Sequence, residues 1–539
     1  MPVIPNTLAE ISRLSDDNKG IFPLPLSNAA FTFDSFGIAG FFGGENALAG
    51  MATVNLIPGH RWCGWYNNPG SYEIAKRYGA LGKLKLCDAL FPEGDQDPAH
   101  VFKLDGPGGP PFVPVHSGIS QSTGQIARLF AQWAADRELY RRERFSGRVG
   151  ARHDVTIVHL GHIPPGATQY PDLPKSSNFL FSLLPNLVSV GGCVLCALVA
   201  DWFAFASIAI GIVAHGFACC VIGSGKLEFV LPKLVWPGPG NGVLNGDENM
   251  VILIGPEGAV NAVTRSRFRL RYGTEPSQVP RRVQPERGDA VVEDEKRVHN
   301  AAPSPKKTGN PPPSLKGVGR PDDLSSTSLP NDSVSSRSLS RWSEHMRQWC
   351  SSPPQYLIGH CAILLMLQFL AQLVLIPLST LFGQLMFIMT VIASWLYSVC
   401  LSVSCEEIQT KILLDMLQLQ DDDRDVRKYR LETWTATVAF ASFVLASSRP
   451  LDDAPAFLNG LLPHDTVIWT AWKAWMATKL KADQLNMRPE FTENDLSGMP
   501  DKPRRDRLET LFRDVQNAWD AYSAIRPWLL RDQGDSGRT

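Results

Sequence analysis

Apolar residues along this chain gather into a few long runs without charge. From Asn178 to Ala200 the sequence reads NFLFSLLPNLVSVGGCVLCALVA, and from Phe203 to Gly223 it reads FAFASIAIGIVAHGFACCVIG. Neither run holds Asp, Glu, Lys or Arg, and each is as long as a helix needs to cross roughly 30 Å of hydrocarbon. Only Asp201 and Trp202 separate them, so the pattern predicts a tight antiparallel helical hairpin. A second pair follows, from Tyr356 to about Ser379 and from Leu381 to Leu401, with Pro377 and Ser379 marking the turn. Small residues recur at four-residue spacing (Ser189, Cys193, Ala197; Ser207, Gly211), as close helix contact in lipid requires. Any one run would suit a buried soluble helix; four in two pairs are poorly explained that way.

Cations set the expected orientation. Lys175, Lys226, Lys233, Arg341, Arg347 and Lys411 flank the open ends of the pairs, and neither tight turn carries Lys or Arg. Both termini and the segment joining the pairs are therefore expected in the cytosol. The run Thr433 to Ser448 (TWTATVAFASFVLASS) is short and diluted by Thr, Ser and Ala. It reads as a buried soluble or re-entrant helix; as a fifth span it would move the C-terminal tail across the membrane.

Between the apolar runs the pattern changes. Residues 1–150 are rich in Gly and Pro and predict no fold beyond one helix. In that helix Ser122 and Thr123 are capping candidates, Ile126, Leu129, Phe130 and Trp133 fall at helical spacing, and Arg141, Arg142 and Arg144 close it. Residues 151–273 read as a β-rich module into which the first pair is inserted. Its expected strands are HDVTIVHLGHI, KLEFVL, MVILI, AVNAV and RFRLRY, with GPEG as a hairpin turn before AVNAV. Residues 274–350 are a Pro/Ser/charged linker that cannot bury enough apolar area to fold. After the second pair (356–401), residues 402–539 are expected to be helical: an amphipathic helix through EEIQTKILLDMLQLQDDDRDVRKYR, one capped by Asp465 and carrying Trp469, Trp472 and Trp475 on one arc, and a last helix over about 505–530. That Trp arc suits a packed core, or an interfacial membrane face given Lys473, Lys479 and Lys481.

The net charge of -1 gives no footprint for nucleic acid, and none is expected as a partner. MPVIPNTLAEISRLSDD lacks a basic then apolar leader, so no cleaved signal peptide is expected. Of ten cysteines, seven lie in or beside the apolar runs, which argues against a disulfide framework. Cys219, Cys220, Cys350 and Cys405 fall near the predicted cytosolic interface, where palmitoylation competes with plain packing as their reading. In the linker, Ser304 before Pro305 and Ser340 three residues after Arg337 are candidate phosphorylation sites.

Polar residues inside the apolar runs are the strongest candidates for function. His215 lies near the middle of its run, and His360, Gln368 and Gln372 are read as sharing one face of the third helix. They suit interhelical hydrogen bonding or, alternatively, a conduit. Metal binding and enzyme chemistry find no support. Cys193, Cys196, Cys219 and Cys220 stand at depths differing by roughly 12 Å across the hairpin. GSGK at Gly223 to Lys226 lacks the upstream glycine of a phosphate loop, and His153, His159 and His162 lack partners at motif spacing.

The runs VILIGPEGAVNAVTRSRF (Val251 to Phe268) and LLPHDTVIWTAWKAW (Leu461 to Trp475) resemble stretches of uncharacterised multi-pass membrane proteins of filamentous fungi. That resemblance implies a topology and no catalytic or ligand residues. The resulting expectation is an α-helical integral membrane protein with two transmembrane hairpins, a small cytosolic β-rich module and a helical cytosolic C-terminal region. It would be a non-enzymatic anchor, adaptor or regulatory component without cofactor, in contact with the lipid bilayer, anionic lipids through its basic segments, and cytosolic proteins or further copies of itself. The alternative is an oligomeric channel or transporter subunit.

Overall fold

In the computed structural model, residues 45–142, 153–272 and 356–535 are described, apart from 69, 83–84, 91–97, 162–169, 172, 174–178, 232–239, 248, 420–424, 482–483 and 500. Lys175, Lys233, His162 and the linker with Ser304, Ser340, Arg341, Arg347 and Cys350 lie outside them. In chain order the main elements begin with α1 (Glu45–Thr53), α2 (Ser71–Gly79), β1 (Phe112–Pro114), α3 (Gln125–Asp136), β2 (Arg141–Arg142) and β3 (His153–His159). Next come α4 (Phe179–Leu198), α5 (Trp202–Ile222), β4 (Lys226–Val230), β5 (Gly242–Asn245), β6 (Asn249–Ile254), α6 (Glu257–Thr264) and β7 (Arg267–Arg271). The last are α7 (Tyr356–Leu375), α8 (Leu381–Met416), β8 (Val426–Leu431), α9 (Trp434–Ser448), α10 (Ala454–Leu461), α11 (Val467–Lys479) and α12 (Lys502–Asp535).

Among the described residues, four helices are long and apolar enough to cross a membrane: Phe181–Leu198, Trp202–Ile222, Tyr356–Leu378 and Leu381–Met416. Their burial is inverted relative to a soluble bundle. Leu187, Leu367, Val374 and Val403 are 57–78% exposed, whereas Ser189, Gln368 and Thr390 are fully buried. An apolar belt of that extent on the outside belongs against lipid rather than water. The turn after α4 and the turn after α7 are clamped together by Asp201. Its carboxylate caps α5 by accepting from Ala204 N (3.1 Å) and also accepts from Thr380 N (2.9 Å) and Thr380 Oγ1 (2.5 Å). Gly383 is needed beside it, because a Cβ there would overlap the carboxylate.

The remaining mass is an α/β body whose six-stranded sheet runs β1-β5-β6-β3-β8-β2. β3 pairs in parallel with β6 and antiparallel with β8, so its neighbours come from after the first helix pair and after the second. The sheet thus crosses the segment boundaries drawn from the sequence. Alternate residues face opposite cores: Val155 and Ile157 pack under α9 and α12, while Val158, Val251 and Leu253 pack with α3 and α6.

Several local expectations are corrected. AVNAV is the helix α6, and GPEG leads into it instead of turning a hairpin. Its apolar residues are buried on every side, which erases the periodicity that separates helix from strand. The helix start near Ser122 and Thr123 is capped by neither; Gly124 takes the N-cap place without a side-chain bond, and Arg141 and Arg142 form β2. EEIQTKILLDM is no separate helix but the end of α8, since nothing between Val399 and Met416 breaks it, and VRKYRL is β8. Thr466, not Asp465, precedes α11, and Asp465 instead faces Lys473 at 3.6 Å. The run from Thr433 to Ser448 is α9 with Thr433 as its N-cap, buried on all faces between the sheet and α12, and Trp472 and Trp475 belong to the same core.

Candidate functional site

The buried polar groups of the four apolar helices converge on a piece of the N-terminal region that had no predicted fold. After a 3-10 turn at His60–Trp62, the chain runs without helix through Cys63–Asn68 and returns as α2. Backbone of this kind inside an apolar bundle leaves amides and carbonyls that must find partners there. Asn67 N donates to Ser189 Oγ (3.0 Å), Asn67 Nδ2 donates to Thr390 Oγ1 (2.9 Å), and Asn67 Oδ1 accepts from Gln372 Nε2 (2.9 Å). Gln372 Nε2 also donates to Ser207 O (3.2 Å), and Gln368 Nε2 donates to Asn68 O (3.3 Å). Asn186 Nδ2 donates to Cys63 O (2.8 Å).

His215 is fixed in one tautomer by its surroundings. Gly70 N donates to Asn68 Oδ1 (3.0 Å), so Asn68 Nδ2 is the donor toward His215 Nε2 (2.9 Å). The other ring nitrogen then carries the proton and donates to Gly64 O at 2.7 Å. Both nitrogens are occupied by neutral partners, and the Tyr66 ring lies 4.5 Å from the imidazole.

Ser189, Gly211 and Thr390, which surround Asn67, each lie nine residues from the turn-side end of their helix, about 14 Å at 1.5 Å per residue. The segment therefore enters at the open end, where Cys220 Sγ meets Arg61 O (3.3 Å), reaches the middle, and climbs back along α7. On the way back the Tyr72 ring sits 5.2 Å from Phe369, and Gly82 packs against the Gly359 backbone. Glycines make this approach feasible: a Cβ at Gly211 would overlap Asn67, one at Gly64 would overlap Cys219, and one at Gly216 would overlap the Trp65 ring. The small residues Ser189 and Gly211 thus serve the inserted segment.

Above this network lie His60, Tyr66, Tyr397 and Cys219, around a void of about 10 Å³ that holds one water at most. His60 Nε2 lies 3.4 Å from the Tyr397 hydroxyl, and burial pushes the His60 imidazole down to about 4.

Of the sequence-selected residues, His215, Gln368 and Gln372 meet at one place. His360 does not: it lies on the exposed face of α7, bonded to Tyr356 O at 2.9 Å, so the shared face expected for it is corrected. Cys219 and Cys405 are buried and Cys220 is half-buried, which leaves the first two closed to an acyltransferase in this fold. Asn67, Asn68 and Gly64 were missed; their one signal was the pair of buried glutamines and a histidine that needed partners. His153 and His159 meet the Trp434 and Trp528 rings edge to face, with centroids 5.0 and 4.7 Å apart. Among the described residues no group of three or more His, Cys, Asp or Glu could hold a metal.

The chain is thus mainly helical, with four helices fit to cross a membrane around a polar, irregular inner segment. Comparison with models of known families, with curated proteins and with solved structures finds no match.

Proposed function

We propose that this chain is a four-span membrane anchor that carries an α/β body on one side of the bilayer and acts through proteins bound there, without catalysis of its own. The observation carrying the reading is the pairing of β3 with both β6 and β8. One strand precedes all four apolar helices, one follows the first two, and one follows all four, so each helix pair must return the chain to the side it left. The cations Lys226 and Lys411 at the open ends favour the cytosol as that side. The neutral partners on both ring nitrogens of His215 and the bonds that Gln368 and Gln372 donate to the inserted segment support a packing role for them, with Asn67 near the middle of the bilayer. A glycosylation scan tests this, with acceptor sequons placed near Pro107, at the existing Asn331-Asp332-Ser333, and after Ser448. No modification at any of them is expected; modification after Ser448 alone would overturn the topology. Loss of linker partners on deleting 274–350, read by proximity labelling, tests the adaptor role.

A second reading rests on the inserted segment itself. Broken backbone at the middle of a bundle is how transporters and channels build their sites, and further copies of the chain would complete a path. Replacing His215 and Gln368 by leucine would abolish flux through such a path in proteoliposomes; unchanged flux, or none in the native protein, removes it.

A further inference from the structure

A cavity of about 560 Å³ opens where α5 ends, between the entry of the inserted segment and β4. Ile57, Trp62, Tyr170 and Leu173 supply apolar and aromatic walls, and Arg61 and Lys226 bring two cations. The described lining contains no carboxylate. We infer that this cavity binds the headgroup of an anionic glycerophospholipid.

The inference rests on the four-span reading, which puts this cavity at the membrane surface: Ile222 ends the apolar helix, and Lys226 follows four residues later. Trp62 is 50% exposed at the same end, at the level where amphipathic rings gather in a bilayer. Arg61 is pre-set rather than floppy. Its guanidinium lies 4.9 Å over the Trp62 ring, and its Cβ crowds Gly223, where any side chain would displace it. A phosphate entering from the bilayer meets the planar fork of Arg61 and the point charge of Lys226 together, while its acyl chains stay against the exposed apolar belt of α5, including Val213. A zwitterionic lipid would bring an ammonium toward two cations with no carboxylate in the lining to receive it. The committed ligand is therefore a lipid of net negative charge.

The full chain, purified in mild detergent and reconstituted into phosphatidylcholine nanodiscs with or without phosphatidylserine, gives the test by native mass spectrometry. One retained phosphatidylserine per chain is expected. Arg61→Gln and Lys226→Gln each lower its retention about fivefold, and raised salt weakens it as well. Arg61→Lys, which keeps the charge and loses the fork, binds better than Arg61→Gln, which separates lost charge from lost folding. Equal retention of phosphatidylcholine, or a double glutamine variant that binds as the native chain does, overturns the site. Displacement of the lipid by an equal concentration of glycerol 3-phosphate overturns the lipid as ligand in favour of a soluble phosphate. Alkaline carbonate extraction separates the two levels: release of the chain defeats the four-span reading, whereas an integral chain without lipid preference defeats this site alone.

Discussion

Replacing Asn67 with alanine removes a side chain of the inserted segment that bonds to two of the four apolar helices at once. Its amide gives up the bonds to Thr390 Oγ1 and from Gln372 Nε2, while the backbone bond to Ser189 stays. Neither partner is stranded: Thr390 still donates to Phe387 O and Gln372 still donates to Ser207 O. The loss is therefore two neutral bonds, about 0.6 kcal/mol each in a bilayer and at most about 1.7. The expected destabilisation is about 1–3 kcal/mol, measured by unfolding in a graded detergent mixture. A cycle with Gln372→Leu isolates the shared bond, with an expected coupling of about 0.6–1.7 kcal/mol. A local readout accompanies it. Cys63, buried at the start of the segment, becomes reactive to a maleimide in the variant as the segment leaves its seat. Additive single effects together with an unreactive Cys63 would refute the account of the segment as held by Asn67.

Three further perturbations probe other parts of the fold. Gly211→Val drives a side chain into Asn67 and Gln372 and costs about 1–3 kcal/mol in the same assay. His60 titrates at about 4 when folded against 6.5 ordinarily, so its stabilising contribution is whole above pH 6.5 and drains by about 3 kcal/mol as pH falls toward 4. His60→Gln flattens that slope, and a slope unchanged by the substitution defeats the assignment. Asp154 is pushed up by burial but held below its ordinary value by Arg430 and Lys428, which bond it at 2.6 and 2.9 Å. That contribution is present above about pH 4 and lost below it as the carboxyl protonates, and Asp154→Asn costs about 3–5 kcal/mol at pH 7 by leaving Lys428 buried without its counter-charge.

The parts of this fold that were legible in the sequence are those governed by one-dimensional pattern. Long uncharged runs place all four apolar helices and give the ends of the first three to within a few residues, and short β-branched and apolar runs bounded by turn residues give β3, β4, β6 and β7. Pattern fails where burial is uniform, as in α6, and where two kinds of environment follow one another on one element. α8 is apolar to Leu401 and charged from Glu406, yet it is one helix of 36 residues whose far end ion-pairs Glu406 with Arg128 (2.8 Å) and bonds Gln409 to Gln125 (2.6 Å). The polar residues of the apolar helices were visible, but their partner was not. Cys63–Asn68 carries no periodicity, because irregular backbone takes its shape from the groups that satisfy it.

Sheet order imposes a condition on assembly that a truncation exposes. β3 is central, and one of its edges is covered by β8, which is synthesised after all four apolar helices. Its other neighbour β6 also comes after the first pair, so the body cannot close ahead of the membrane helices. A chain ended at Met416 keeps the four helices, the inserted segment and their polar bonds. It lacks β8, α9 and α12, and so bares the inner face formed by Val155, Ile157, Met250 and Ile252 along with an unpaired edge of β3. Unpaired edges with apolar faces recruit other chains. The expected product resists carbonate extraction, keeps Cys63 protected, and aggregates through a body that protease digests. A soluble, protease-resistant body in the truncated chain would show that the sheet does not depend on β8 and α9, and would remove the pairing on which the one-sided topology is argued.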